Sequence, residues 1–237
     1  MRLKRKLVII AIAAVAVIGL ALAIGPQIYA AMQPAAPAPL SVASSSQSPA
    51  APSSAGAASS AATSAASSDA GTWKAAEGSQ AGYRIAEVLN GANVTVVGRT
   101  AKVTGSATVA DGKLSAASIQ VDVASIATDS TSRDGMFRTM VMHTSQYPTA
   151  TFTLAEPVQL PEVGASPVSL TVKGTLELAG QKRSVTATLQ AVRNGASVSV
   201  SGSIPITPQD FGITPPNLGF VKVGDSGTVE FLVNLTR

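Results

Sequence analysis

SIATDSTSRDGMFRTMVMHTSQYPTATFTL, residues Ser125 to Leu154, is the one long interruption in a stretch otherwise patterned as β-strand. It gathers charge, aromatic rings, methionines and the sole histidine of the chain. Asp129 and the Ser and Thr residues after it are turn and N-cap chemistry. Met136, Phe137, Met140 and Val141 recur at helical spacing, which predicts a short helix with one apolar face. Tyr147-Pro148 ends it, because proline has no N–H and disfavours helix in the residue before it. Ala150, Phe152 and Leu154 then alternate with Thr149, Thr151 and Thr153, the pattern of a strand with one buried face.

The same period of two runs outward on both sides. Val168, Leu170, Val172, Leu176 and Leu178 face one way and Ser169, Thr171, Lys173, Thr175 and Glu177 the other. Val198, Val200, Ile204 and Ile206 repeat the pattern, and Val229, Phe231, Val233 and Leu235 close the chain with it. Further strands are predicted at Tyr83–Val88, Val94–Arg99, Lys102–Val109, Leu114–Val123, Ala150–Val158 and Val185–Val192, with Asp111-Gly112 and Asn194-Gly195 as hairpin turns. Eight or nine such strands in hairpin order mean an antiparallel sandwich or a closed barrel. The inward positions are mostly Val, Ala, Leu and Ile, with eight aromatics from Gly71 onward. A barrel of small side chains leaves interior space, whereas a sandwich of the same residues packs shut. Composition leaves both open.

The chain has 237 residues and no cysteine, so disulfides and thiol chemistry are excluded. Of its 17 Lys and Arg residues, Arg2, Lys4, Arg5 and Lys6 account for the net charge of +4; the other 13 balance the 13 acidic residues. With no basic patch, nucleic acid is not a predicted partner. That basic cluster precedes Leu7–Ile24, 18 apolar or small residues without a charge. As a helix they would span roughly 27 Å, close to a bilayer core. The expected organisation is a membrane anchor over 1–30 with its helix at about 7–24, a disordered linker over 31–70, and one folded domain over 71–237. The N-terminus would be cytoplasmic and the domain extracytoplasmic; a signal peptide cleaved near Ile28-Tyr29-Ala30 is the alternative, with a secreted product. The linker reading rests on composition, since 32 of the 40 residues are Ala, Ser or Pro and such a segment cannot offset its ordering entropy.

A single histidine, His143, rules out a His-based triad or a His-rich metal site. Arg133 and Asp134 admit two roles: contact with a polar group at a cavity mouth, or capping of the helix. His143 is either a surface residue at the helix end or a third mouth contact. Met136, Met140 and Met142 are adaptable side chains suited to a cavity entrance or to packing the helix onto the sheet. Phe152, Leu154, Val172, Leu176, Val200, Ile204 and Phe231 form the expected inward set, and Phe211 is core or cavity lining.

The stretch from Ser125 to Phe152 resembles the signature of the YceI-like family of polyisoprenoid-binding, lipocalin-like domains. The matching positions are Ser125, Ile126, Thr128, Arg133, Asp134, Tyr147, Pro148 and Phe152. Gly174-Thr175-Leu176 with Gly180 and Val185 forms a second matching block, and Asp210-Phe211-Gly212-Ile213 a third. Where the family often carries His-Leu after its Arg-Asp pair and next residue, Met136-Phe137 stand here. The resemblance runs from Thr72 to about Leu235. It implies an all-β fold, an extended antiparallel eight-stranded barrel with a short helical excursion. It further implies that the inward set lines a cavity for a long isoprenoid lipid of polyprenyl or quinone type. No enzyme activity and no other cofactor are implied, and Arg133, Asp134 and His143 become head-group candidates. The expected function is sequestration or carriage of that lipid at a membrane. Two rivals are kept: an interaction module, filled in its core, for an envelope protein or a second copy, and a quinone-dependent redox accessory.

Overall fold

The computed structural model describes residues 35–42 and 69–237. The expected anchor, and most of the expected linker, lie outside the described residues. Among the described residues no helix is long and apolar enough to cross a membrane.

The folded part contains strands β1 (Gly71–Ala75), β2 (Gln80–Leu89), β3 (Ala92–Thr100), β4 (Val103–Ala110), β5 (Lys113–Asp122), β6 (Thr149–Leu154) and β7 (Val158–Gln159). It continues with β8 (Val168–Leu178), β9 (Gln181–Asn194), β10 (Ser197–Ile206) and β11 (Val221–Thr236). One α-helix, α1 (Thr131–Met136), lies between β5 and β6. Every pairing is antiparallel, in the order β1-β4-β5-β6-β8-β9-β10-β11-β2-β3. The sheet closes because β1 pairs with the end of β11 (Lys74↔Thr236, Ala75↔Leu235) while β2 pairs with the rest of it. β1 and β2 are therefore one broken stave, and β3 and β4 another. With β5, β6, β8, β9, β10 and β11 they make an eight-stranded barrel, and β7 only adds two residues beside β5.

Turn chemistry sets much of this register. Asn90-Gly91 and Asp111-Gly112 both have positive φ at each residue, as a tight turn matching strand twist requires. Gly82 is needed for a different reason: a Cβ there would stand 1.9 Å from the Gly98 carbonyl oxygen across the β2–β3 pair. The expected Ala150–Val158 strand divides at Ala155-Glu156-Pro157 into β6 and β7. β1 escaped the sequence reading because its five residues, GTWKA, are too few for alternation to register.

The excursion starts as expected and ends differently. Ser130, rather than Asp129, is the N-cap, its hydroxyl accepting from Arg133 N at 3.4 Å. After α1 the backbone widens into a π turn over Phe137–Val141, with Met142 N donating to Phe137 O at 2.8 Å. The widened turn rotates Met140 off the apolar face, where it is 66% exposed, and brings Met142 inward instead. His143, at φ 47°, ends the helical run.

Residues 35–42 depart most from the composition-based reading. They lie against the outside of the barrel, with Leu40 and Val42 on Val192 and Leu232. Two aliphatic side chains in an Ala/Pro context suffice for this contact because the wall offers them a matching strip.

Candidate functional site

Inside the barrel runs an apolar cavity of about 720 Å³, within the range of about 300–1,000 Å³ usual for small-molecule sites. Its middle is lined by Phe152, Leu154, Val172, Ala187, Ile204 and Phe231, contributed by five different strands. Seven of the eight expected lining residues reach it: Phe152, Leu154, Val172, Leu176, Val200, Ile204 and Phe231. Phe211 does not. It sits in a 3-10 turn outside the barrel end and packs in the core cluster of Val123, Ile126, Met142, Leu176, Leu178 and Ile213. The structure thus decides between its two sequence readings in favour of core.

The two ends of the cavity differ. At one, Trp73 is buried and its indole N–H donates to the Asp69 carbonyl at 2.9 Å. The Arg193 and Arg237 guanidiniums lie 5.8 and 4.8 Å from its ring centre, and Arg193 is also paired with the Asp69 carboxylate. Trp73, Leu160 and Val163 line this end together with the paired Asp69 and Arg193.

At the other end α1 and the π turn fill the gap where β3 has parted from β5. Phe137 stacks on Tyr83 with ring centres 5.0 Å apart. Beside them Arg133 reaches Glu87 at 3.6 Å and Asp129 at 2.5 Å. Tyr83, Glu87, Asp129, Arg133, Met136 and Phe137 all face the cavity here, with Phe220 on the rim. Phe220 is 59% exposed.

The head-group candidates separate. Arg133 stands at the cavity. Asp134 is buried outside it, where its Oδ1 accepts from Thr128 N at 2.9 Å and Thr128 Oγ1 at 2.7 Å. His143 is exposed, does not reach the cavity, and its carbonyl accepts from Gln146 N and Tyr147 N. The polar partners missed from the sequence are Tyr83 and Glu87. Glu87 stands in β2 where Tyr83, Ile85 and Leu89 face inward, so strict alternation from Tyr83 was the available signal.

Burial pushes the Glu87 carboxyl above the ordinary glutamate value, with Arg133 pulling it back. Burial likewise raises the Tyr83 hydroxyl. A raised carboxyl in the folded state means the fold binds that proton more tightly than the unfolded chain. Stability associated with Glu87 is therefore full below about pH 4.3, the unfolded value, and falls as pH rises through the folded one. Glu87→Gln has no such loss, so its melting temperature relative to the parent is expected to rise between pH 4 and pH 7. Melts across that range check it; a constant offset would refute it. Asp134→Ala strands the Thr128 N–H and hydroxyl, and an expected loss of about 1–3 kcal/mol follows. Chemical denaturation measures it, with Asp134→Asn, which keeps an acceptor, losing less.

Among the described residues no group of three or more His, Cys, Asp or Glu could hold a metal ion. No Ser, His and carboxylate converge in the cavity either, where the sole His is absent. What the arrangement can do is enclose an elongated apolar molecule whose polar end meets the Tyr83, Glu87 and Arg133 cluster, the Arg193–Asp69 pair at the other end being satisfied internally. A closed antiparallel barrel with such a lumen belongs to the class of small-molecule-binding barrels.

A YceI-like domain model matches residues 73–235, and the chain belongs to the YceI-like family. Two solved structures share the fold. One is a polyisoprenoid binding domain from Saccharophagus degradans implicated in plant cell wall breakdown, at 21% identity and TM-score 0.57, covering 70% of this chain and 97% of that one. The other is BcnA of Burkholderia cenocepacia, at 21% identity and TM-score 0.54, covering 66% and 95%. No curated relative matches the chain.

Proposed function

We propose that the barrel binds one long isoprenoid lipid, its chain along the cavity and its head group against Tyr83, Glu87 and Arg133. One observation carries this: an apolar lumen of about 720 Å³ runs from the Trp73 end, where Arg193 and Asp69 are paired with each other, to the polar cluster of Tyr83, Glu87 and Arg133. The polyisoprenoid-binding Saccharophagus domain of the same fold supports it. The mechanism is sequestration or carriage, with no catalysis. Each methylene taken from water contributes about 0.8 kcal/mol; for a lipid drawn from a bilayer the net gain is smaller, so fit and head group set selectivity.

The charges favour an uncharged head group. Glu87, Asp129 and Asp134 surround Tyr83 together with one cation, Arg133. Arg133 is already held between two of those carboxylates. A polyprenyl diphosphate would meet excess negative charge there, whereas a quinone or alcohol would meet hydrogen-bonding groups. Membrane anchoring of an extracytoplasmic domain is part of the same proposal and rests on Arg2–Lys6 followed by Leu7–Ile24.

Native mass spectrometry with solvent extraction tests it, on a chain starting at Ala31 purified without detergent from envelope material. One isoprenoid per chain, and displacement by added quinone but not by diphosphate, are expected. A chain that carries no lipid and takes up none would overturn the proposal; selective uptake of diphosphate would overturn only the head-group part.

A further inference from the structure

The wall formed by β9, β10, β11, β2 and β3 is unusual on its outer face. Val192, Ser201, Glu230 and Leu232 point away from the cavity, yet each is buried, Glu230 to 3% exposure. Outward residues of β8 such as Ser169, Thr171 and Lys173 are exposed, as a barrel exterior normally is. The difference is the segment from Ala35 to Val42.

The contacts read main chain. Arg84 and Arg99 both grip Glu230, at 3.2 and 2.6 Å. Each guanidinium has an N–H left over, and these donate to two successive backbone carbonyls, Arg84 to Pro37 O at 2.6 Å and Arg99 to Ala38 O. Ser201 Oγ accepts from Val42 N at 3.1 Å. Leu40 and Val42 cover Val192 and Leu232. Two arginines on one buried glutamate leave one positive charge directed at carbonyl oxygens, which suits an uncharged segment. Pro37 and Pro39 have no N–H to leave unsatisfied, and proline-rich chain is already extended, so little conformational freedom is lost on docking.

We propose that this wall is a peptide-docking site for an extended, uncharged, proline-containing segment, and that its occupant is the chain's own Ala35–Val42, acting as a strap. Twenty-six residues (43–68) join the strap to Asp69, so docking is intramolecular, at an effective concentration on the order of millimolar. The strap also governs reach. Where the apolar stretch is embedded as proposed above, docking leaves ten residues (25–34) between Ile24 and the wall, about 35 Å fully extended. Release would leave 44 (25–68), about 150 Å. The strap holds the barrel near its lipid source, and its release lets the barrel range. This consequence rests on the anchoring proposal; docking itself does not.

The absence of cysteine from the chain makes the test clean. In the full-length protein in detergent micelles, Val42→Cys with Ser201→Cys is expected to form an intramolecular disulfide at least tenfold faster than Ser60→Cys with Ser201→Cys. Adding Leu40→Asp, a change in the strap that leaves the barrel residues untouched, is expected to cut that rate at least fivefold. Equal rates for the two pairs, or cross-linking only between molecules with a concentration dependence, would overturn the proposal; the second result would make a second copy the occupant. A readout without cysteines is amide exchange at Val42, expected at least tenfold slower in the parent than in Leu40→Asp. Exchange at the same rate in both would also overturn it. Neither result depends on lipid content or on the anchor, so failure here leaves the lipid-binding proposal standing.

Discussion

Ala187→Trp is expected to empty the barrel of lipid while leaving it folded. Ala187 is 1% exposed and sits at mid-length on β9, opposite Val172 in the register, with its side chain toward the cavity. An indole projecting from that position occupies the lumen where a lipid chain must pass. Overpacking a filled core by this much would cost about 1–3 kcal/mol or more, but here the added ring enters existing space and buries about 150–250 Å² of its own surface. Melting within a few degrees of the parent is therefore expected. For a lipid presented from water, excluding three or four methylenes at about 0.8 kcal/mol each would weaken binding more than tenfold, since about 1.4 kcal/mol is a factor of ten in Kd. For a lipid drawn from a bilayer the blocked path through the lumen is the larger effect. Ala117→Trp, from the cavity-lining face of β5, should act the same way. Full lipid occupancy in a folded Ala187→Trp protein would show that the ligand does not lie in the cavity.

Trp73→Ala carries the largest expected loss of stability. The indole is 4% exposed and closes one end of the lumen among Ala81, Val103, Ala107, Val109, Val198, Val233 and Leu235. Truncating a buried aromatic of this kind costs about 3–5 kcal/mol, through lost burial and the cavity left behind. The change also removes the N–H bond to Asp69 and the ring beneath Arg193 and Arg237. Urea unfolding followed by circular dichroism measures the loss, fluorescence being ruled out because Trp73 is the only tryptophan. Trp73→Phe retains most of the ring burial and should lose clearly less. A loss below 1 kcal/mol for the alanine variant would mean that this end of the barrel is not closed by the indole.

Particular residues show why parts of this protein were readable in advance. β8, β10 and β11 announced themselves because one face of each is buried against a lumen and the other meets water, so alternation survives intact. The lining residues came with them, since inward on a closed barrel and inward on a pattern are the same direction. Phe211 was ambiguous because it lies in a turn, where period carries no direction. Glu87 is not legible as an inward residue because a carboxylate there contradicts the hydrophobic reading of that face, and only the neighbouring α1 supplies the arginine that makes it tolerable. Met140 and Met142 exchanged roles because hydrogen bonding five residues apart, in place of four, rotates side chains that an ideal helix would align. Leu232 was a visible irregularity, a leucine among the outward residues Glu230 and Asn234, but nothing local says what covers it.

The chain's own order of residues determined the all-β character, the strand directions, the hairpin turns and the placement of the excursion, because each follows from chemistry within a few neighbours. Closure of the barrel, the meeting of Tyr83, Glu87 and Arg133, and the docking of Ala35–Val42 on a wall assembled from five strands were decided by the folded molecule. Those contacts join residues dozens to well over a hundred positions apart, Val42 with Ser201 and Arg99 with Glu230 among them, and no local pattern encodes a partner at that separation.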